Sequence, residues 1–182
     1  MALRRFDGKE FDALPSRVRH ILHHPWKRSW RRWVLGPGAR RKLNAYLDKR
    51  GLITPHFSWA EAASNPGHGE RGPQPVPAPL RRAARRHAWN LERLRHRLGN
   101  EPLGFLSWYR TQARNRQVGG ASQSRHMSGD ATDLTPSTIA RIGRARLMKE
   151  ANIVFAKGGV GDYPSGAVHV DSRGFRARWS SF

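Results

Sequence analysis

Residue types that ligate divalent metal ions stand at two places in this chain. The stretch SRHMSGDATD, residues 124–133, carries His126 and, seven positions later, Asp133. A second stretch, GAVHVD at 166–171, carries His169 and Asp171. Two histidines and one carboxylate make a donor set for zinc or a similar divalent ion. Three protein ligands leave a fourth position open for water and substrate, which is the pattern of a catalytic site rather than a closed structural one. Spacing alone leaves a plainer reading open, because a His and an Asp fall this close by chance and buried histidines commonly serve structural hydrogen bonds.

The elements that must position these residues follow from the flanking pattern. In AVHVD a strand turns Val168 and Val170 to one face and Ala167, His169 and Asp171 to the other. Ala131 and Asp133 share a face of the short strand predicted over ATDLTP, which stops at Pro136, and His126 lies on the loop that enters it. Neighbouring antiparallel strands would bring His126, Asp133 and His169 onto one ion. LGFLSWYR, 103–110, reads as a further strand, and IVFAKGGVGDYPSGAVHVDSR reads as strand, glycine-rich turn and strand. FRARWSSF reads as a closing edge strand. The 3.6-residue period of Leu80, Ala84, Ala88, Leu91, Leu94 and Leu98 predicts a helix, and PSTIARIGRARLMKEAN, 136–152, predicts another. GARRKLNAYLDKRGLI reads as a helix with Leu43, Tyr46 and Leu47 on one face. Strands and helices mix without regular βαβ alternation, so the expected class is α+β, a small antiparallel sheet flanked by helices. The expected organisation is a basic, Trp-rich helical region over 1–53 and a second unit over 54–182, with a Pro/Gly-rich loop at 62–79.

Composition narrows the chemistry. The chain has no cysteine, which excludes disulfides, thiolate metal sites and a cysteine nucleophile. Any metal is therefore held by His, Asp or Glu. The 34 Lys and Arg against 13 Asp and Glu give a formal charge of +21, which implies a polyanionic partner or surface. Nucleic acid, teichoic acid, lipopolysaccharide and anionic lipid all fit that number. In HHPWKRSWRRWV, residues 23–34, Trp26, Trp30 and Trp33 recur at helical spacing. They read either as a face packed on the main unit or as an amphipathic element touching a membrane or envelope surface. The Arg and His residues on the outer face of the 80–98 helix read as a solvated face, with a nucleic-acid patch as the alternative. No segment has the roughly 18 apolar residues of a membrane span. No apolar run follows the early arginines, so no signal peptide is expected, and synthesis in the cytoplasm is.

Further motifs carry a resemblance. SRHMSGDATD matches the pattern S-x-H-x-x-G-x-A-x-D through Ser124, His126, Gly129, Ala131 and Asp133. Upstream, SWYRTQARNRQVGGASQSRH holds a Y-R-[ST] segment, an Asn and V-G-G-A. The tail GGVGDYPSGAVHVDSR is similar to a G-G-x-G-x-Y-P…H-V-D ending. In these ordered motifs, over about residues 54–180, the chain resembles the zinc D-Ala-D-Ala carboxypeptidase family of peptidoglycan peptidases, and its phage-type and periplasmic branch in particular.

The resemblance implies roles for named residues. His126, Asp133 and His169 match the zinc ligands. Arg110 matches the family arginine that binds a substrate carboxylate or stabilises a developing oxyanion. Ser124 and Tyr163 fall where substrate-contacting or loop-shaping residues are expected, and Asp162 also falls in the turn beside them. It implies a fold shared with Hedgehog signalling domains. It further implies a zinc-dependent cleavage of peptidoglycan stem peptides. The expected lack of a signal peptide, the compact chain and the cationic surface suit a phage lysin, released through a holin or carried by a virion, with a cellular enzyme of wall remodelling as the alternative. The cationic N-terminal region would then hold the enzyme on anionic wall polymers or the outer membrane. One position departs from the pattern. Many relatives carry an acidic general base three residues before the last ligand, and here that residue is Gly166. Asp171 is the candidate replacement as base, or else it supports His169 from behind; Asp130, at a variable position of the motif, is expected to be exposed. The rival readings are a zinc-containing module that grips wall peptide without cutting it and, resting only on charge, a nucleic-acid-binding protein.

Overall fold

A computed structural model describes residues 8–25, 35–66 and 73–180. The Trp26, Trp30 and Trp33 pattern and the centre of the Pro/Gly-rich loop lie outside the described residues. In chain order the elements are α1 (Lys9–Asp12), α2 (Ser16–His23), α3 (Pro37–Asp48), α4 (Trp59–Ala63), α5 (Arg81–Arg97), β1 (Phe105–Ser107), α6 (Gln112–Gln117), β2 (Ala131–Leu134), α7 (Pro136–Ile142), α8 (Arg144–Val154), β3 (Gly159–Asp162), β4 (Val168–Asp171) and β5 (Ala177–Ser180). The class is α+β, as the pattern predicts. The sheet order is β1-β2-β4-β3-β5. Pairing is antiparallel from β1 through β3, and the last pair, β3 with β5, is parallel. β5 returns beside β3 after β4 has already taken the other edge, a crossover that local sequence patterning does not encode.

One sheet face builds the core and the other builds the site. Val160, Leu134, Val168 and Val170 pack with Ala84, Ala88, Leu91, Leu94 and Leu98 of α5 and with Leu147, Ala151 and Val154 of α8. Burying a side chain of this size contributes about 1.5–3 kcal/mol, so this layer fixes which face of β2 and β4 points away from the helices. Trp108 is fully buried at its centre, and its indole N–H donates to the Gly129 carbonyl at 2.9 Å.

The outer face of α5 departs in part from the solvated-face expectation. A second apolar cluster of Phe11, Val18, Ile21, Leu22, Leu43, Tyr46, Leu47 and Leu52 closes over Trp89. Arg85 donates to Asp48 at 2.7 Å and to the Ile53 carbonyl at 2.8 Å, and buried Glu92 accepts from the His56 amide at 2.9 Å. Arg85 and Glu92 of this face are thus paired with neighbouring segments, whereas Arg81, Arg82, His96 and Arg97 stay exposed as expected. The single helix predicted over 136–152 is two helices. Gly143, at φ 88, separates α7 from α8, a backbone state that only glycine adopts without strain.

Candidate metal centre

The site lies in one register row across the sheet. Ser107 pairs with Asp133, Asp133 with His169, His169 with Gly161, and Gly161 with Trp179. Each residue in the row projects from the face opposite the core, because the core already holds Leu134, Val168, Val170 and Val160. His126 comes to the row from a 3-10 turn, Arg125–Ser128, that ends at Gly129 in the left-handed region.

Asp130 anchors that turn. It is fully buried, not exposed as its variable motif position suggested. Arg125 grips both of its oxygens at 3.0 and 2.6 Å, and Arg86 reaches it from α5 at 3.0 Å. Its backbone carbonyl accepts from the Ser172 amide at 2.9 Å. One local arginine, Arg125, and one from a distant element, Arg86, compensate the burial of this carboxylate.

The donor atoms of His126, Asp133 and His169 lie within 4.8 Å of one another, all buried. His126 Nε2 is 3.1 Å from Asp133 Oδ2, and His169 Nδ1 is 2.8 Å from Asp133 Oδ1. The two ring nitrogens are 3.3 Å apart. Their outer partners assign the tautomers. His126 Nδ1 lies 2.6 Å from the Trp108 carbonyl, an acceptor only, so Nδ1 carries the proton. His169 Nε2 lies 3.1 Å from Asp171 Oδ2, so Nε2 carries the proton there. In the neutral rings both inward nitrogens then present lone pairs to each other and to a carboxylate. That arrangement is repulsive unless a metal cation, or a proton on His169 Nδ1 shared with Asp133, sits between the donors, and outer hydrogen bonds of this kind are how metal-ligating imidazoles are oriented. The residues present therefore fit a divalent ion, which His126, Asp133 and His169 would hold as its three protein ligands.

Electrostatics follow the same layout. Burial lowers the His126 pKa and outweighs the pull of Asp133, which favours the neutral, ligand-ready form. Burial also acts downward on His169, but its contacts with Asp133 and Asp171 overcome this and raise it. Burial raises Asp133, yet His126 and His169 reverse that and hold its carboxyl well below the usual range.

Asp171 stands behind His169, with both oxygens engaged. Oδ1 accepts from the Gly159 amide at 2.9 Å and from the Arg173 amide at 3.0 Å. Oδ2 faces His169 and accepts from Arg173 Nη2 at 2.5 Å. A Cβ at Gly159 would overlap this carboxylate, so the glycine lets the strand come in close. Arg110 is buried beside the donors, with Nη2 3.9 Å from Asp133 Oδ2 and its Nε without a protein partner.

A cleft of about 740 Å³ opens over the donors, walled by residues that include Arg110, Ser124, Tyr163, Arg173 and Trp179. Ser124 forms the entry to the 3-10 turn through its backbone, with no side-chain cap. Tyr163 stands edge-on to His169, ring centroids 6.2 Å apart. Asp162, expected beside it, pairs instead with Arg144. Gly166 has φ 81, and a Cβ there would face Arg144 and Pro136.

The profile of the Peptidase M15 family matches residues 55–171, which contain Arg110, His126, Asp133, His169 and Asp171. The chain belongs to the Peptidase M15 family. The zinc D-Ala-D-Ala carboxypeptidase of Streptomyces albus G is 46% identical to it over 46 residues, 25% of this chain and 18% of that protein. The chain thus spans under a fifth of the length of the curated relative it matches. Several site residues of this M15 chain escape motif reading. Ser107 bridges Asn65, at 2.7 Å, and His126 Nδ1, at 3.4 Å. Arg173 and Trp179 lie beyond the family match. Only the inward alternation of the last strand, ARWS, hinted at Trp179.

Proposed function

We propose that this M15 chain is a zinc-dependent peptidase that hydrolyses amide bonds in the peptide part of peptidoglycan. The observation that carries the reading is the convergence of the His126 and His169 lone pairs on Asp133 at the floor of an open cleft. Its support is the family membership and the similarity to the Streptomyces zinc D-Ala-D-Ala carboxypeptidase. Bound to His126, Asp133 and His169, zinc supplies a Lewis acid for the scissile carbonyl and brings the pKa of water to about 7. Arg110 supplies aligned donors to a substrate carboxylate or to the oxyanion that develops during attack, and preorganised donors at such a position are a large part of amide hydrolysis. Tyr163 keeps its proton, because burial raises its pKa, and lines the cleft as a further donor. Asp171 holds the His169 ring in its ligating tautomer, since its oxygens are already committed to Arg173, Gly159 and His169.

The proposed setting is the bacterial cell wall, reached as a phage lysin. The N-terminal region, 1–53, would hold the protein on anionic wall polymers or the outer-membrane surface. Among the described residues no helix is long and apolar enough to cross a membrane. A second reading, a zinc-containing module that binds wall peptide without cutting it, is favoured by Gly166, which leaves the usual acidic position without a carboxylate. Purified protein incubated with peptidoglycan, with zinc, with chelator and as His126→Ala decides between them. New peptide termini found by mass spectrometry, dependent on zinc and His126, establish the peptidase and name its bond. Intact sacculi that retain the zinc-loaded protein establish the binder.

A further inference from the structure

Trp179 stands at the far end of the row that holds the metal donors. Adjacent strands are about 4.8 Å apart, so Trp179 on β5 is two strands away from His169 on β4. A side chain on the intervening strand would separate them. The intervening residue is Gly161, and a Cβ there would overlap the indole at Nε1, Cε2 and Cζ2. The indole occupies that space and reaches the imidazole, with ring centroids 5.2 Å apart and planes at 49°. The guanidinium of Arg173 lies 5.3 Å from the indole centroid, and Arg173 is also what holds Asp171.

The partners at the two nitrogens of His169 leave one freedom. Asp171 meets Nε2 at 3.1 Å and Asp133 meets Nδ1 at 2.8 Å. These contacts set where the nitrogens point, and what packs on the ring faces limits how far the ring tilts about its bond to Cβ. We propose that Trp179 is a positioning residue for the metal ligand His169, bearing on its imidazole across the gap that Gly161 leaves. The assignment rests on the metal reading above and deepens it. It ties the closing strand β5 to the metal centre, and it makes Gly161 and Trp179 one functional unit, because any side chain at 161 expels the indole.

The test is zinc affinity of the full chain, by competition with a chromophoric chelator. Loss of an outer partner of a metal-ligating histidine commonly costs about 10–100-fold in affinity, and Trp179→Ala is expected at the lower end, near 10-fold. Trp179→Phe, which keeps an aromatic face, stays close to wild type. Gly161→Ala keeps the tryptophan but displaces it, and weakens zinc to a similar degree. Because the two residues act as one unit, Gly161→Ala adds no further loss in the Trp179→Ala background. Should Trp179→Ala fail to fold, the Phe and Gly161 variants carry the test. Wild-type affinity in folded Trp179→Ala, or independent additive losses in the double variant, overturns this inference alone. A wild type that binds zinc no better than His126→Ala overturns the metal reading together with it.

Discussion

His169 meets Asp171 through Nε2 at 3.1 Å and Asp133 through Nδ1 at 2.8 Å, so one ring is clamped between two buried carboxylates of different function. In the proposed assignment Asp133 shares the metal with this ring, and Asp171 sets which nitrogen is free to ligate. This division of labour carries the first prediction. Asp171→Asn keeps the shape but weakens the acceptor, and zinc affinity should fall about 10-fold, as for other outer partners of ligating histidines. A general base would behave differently: turnover would collapse while zinc affinity held. Chelator competition run beside turnover on one sample separates the two roles.

Arg110 is buried with an unpartnered Nε, an arrangement that costs stability and that the proposed role in substrate binding would account for. Arg110→Met should leave the urea midpoint unchanged or raise it, because replacing a buried charge by an apolar side chain is often neutral or stabilising. kcat/KM on a peptidoglycan peptide should fall about 100-fold or more, the cost of removing an oxyanion donor. A large drop in stability with proportionate loss of activity would instead mark Arg110 as structural.

Zinc binding should release one histidine proton rather than two. Burial keeps His126 neutral, whereas Asp133 and Asp171 raise His169 above its ordinary value. Zinc needs both rings neutral, so the proton on His169 competes with it, and falling pH favours the metal-free form. In that form protonated His169 contributes stability that is complete below the ordinary histidine value, about 6.5, and fades as pH rises through its raised one. The zinc dissociation constant should therefore rise about tenfold per pH unit below the His169 pKa. Isothermal titration in buffers of different ionisation enthalpy counts the protons, and a count of two at mildly acidic pH contradicts the assignment.

Gly166 cannot regain an acid at no cost. Its φ of 81 lies in the left-handed region, and a Cβ would face Arg144 and Pro136. Gly166→Asp should cost about 1 kcal/mol of stability and pair with Arg144 without raising turnover. A several-fold gain in kcat would show that the carboxylate reaches the cleft after all.

Much of this protein was legible in the order of its residues. Alternation placed His169 and Asp171 on one strand face, opposite Val168 and Val170, because strand geometry has a period of two wherever one face is buried. The donor set His126, Asp133 and His169 and the α5 core stripe were readable for similar local reasons. Pairing was not. The register that sets Asp133 against His169, and His169 against Gly161, arises from strands far apart in sequence. Only tertiary structure showed that Asp130 is buried between Arg86 and Arg125, that α2 and α3 cover Trp89 of α5, and that β5 lies parallel to β3 so that Trp179 reaches His169. A side chain's burial depends on what folds over it, and most of those partners, Arg86 among them, lie tens of residues away. Sequence determined which residues could bind a metal; the order of strands in the sheet decided which aromatic ring packs against His169.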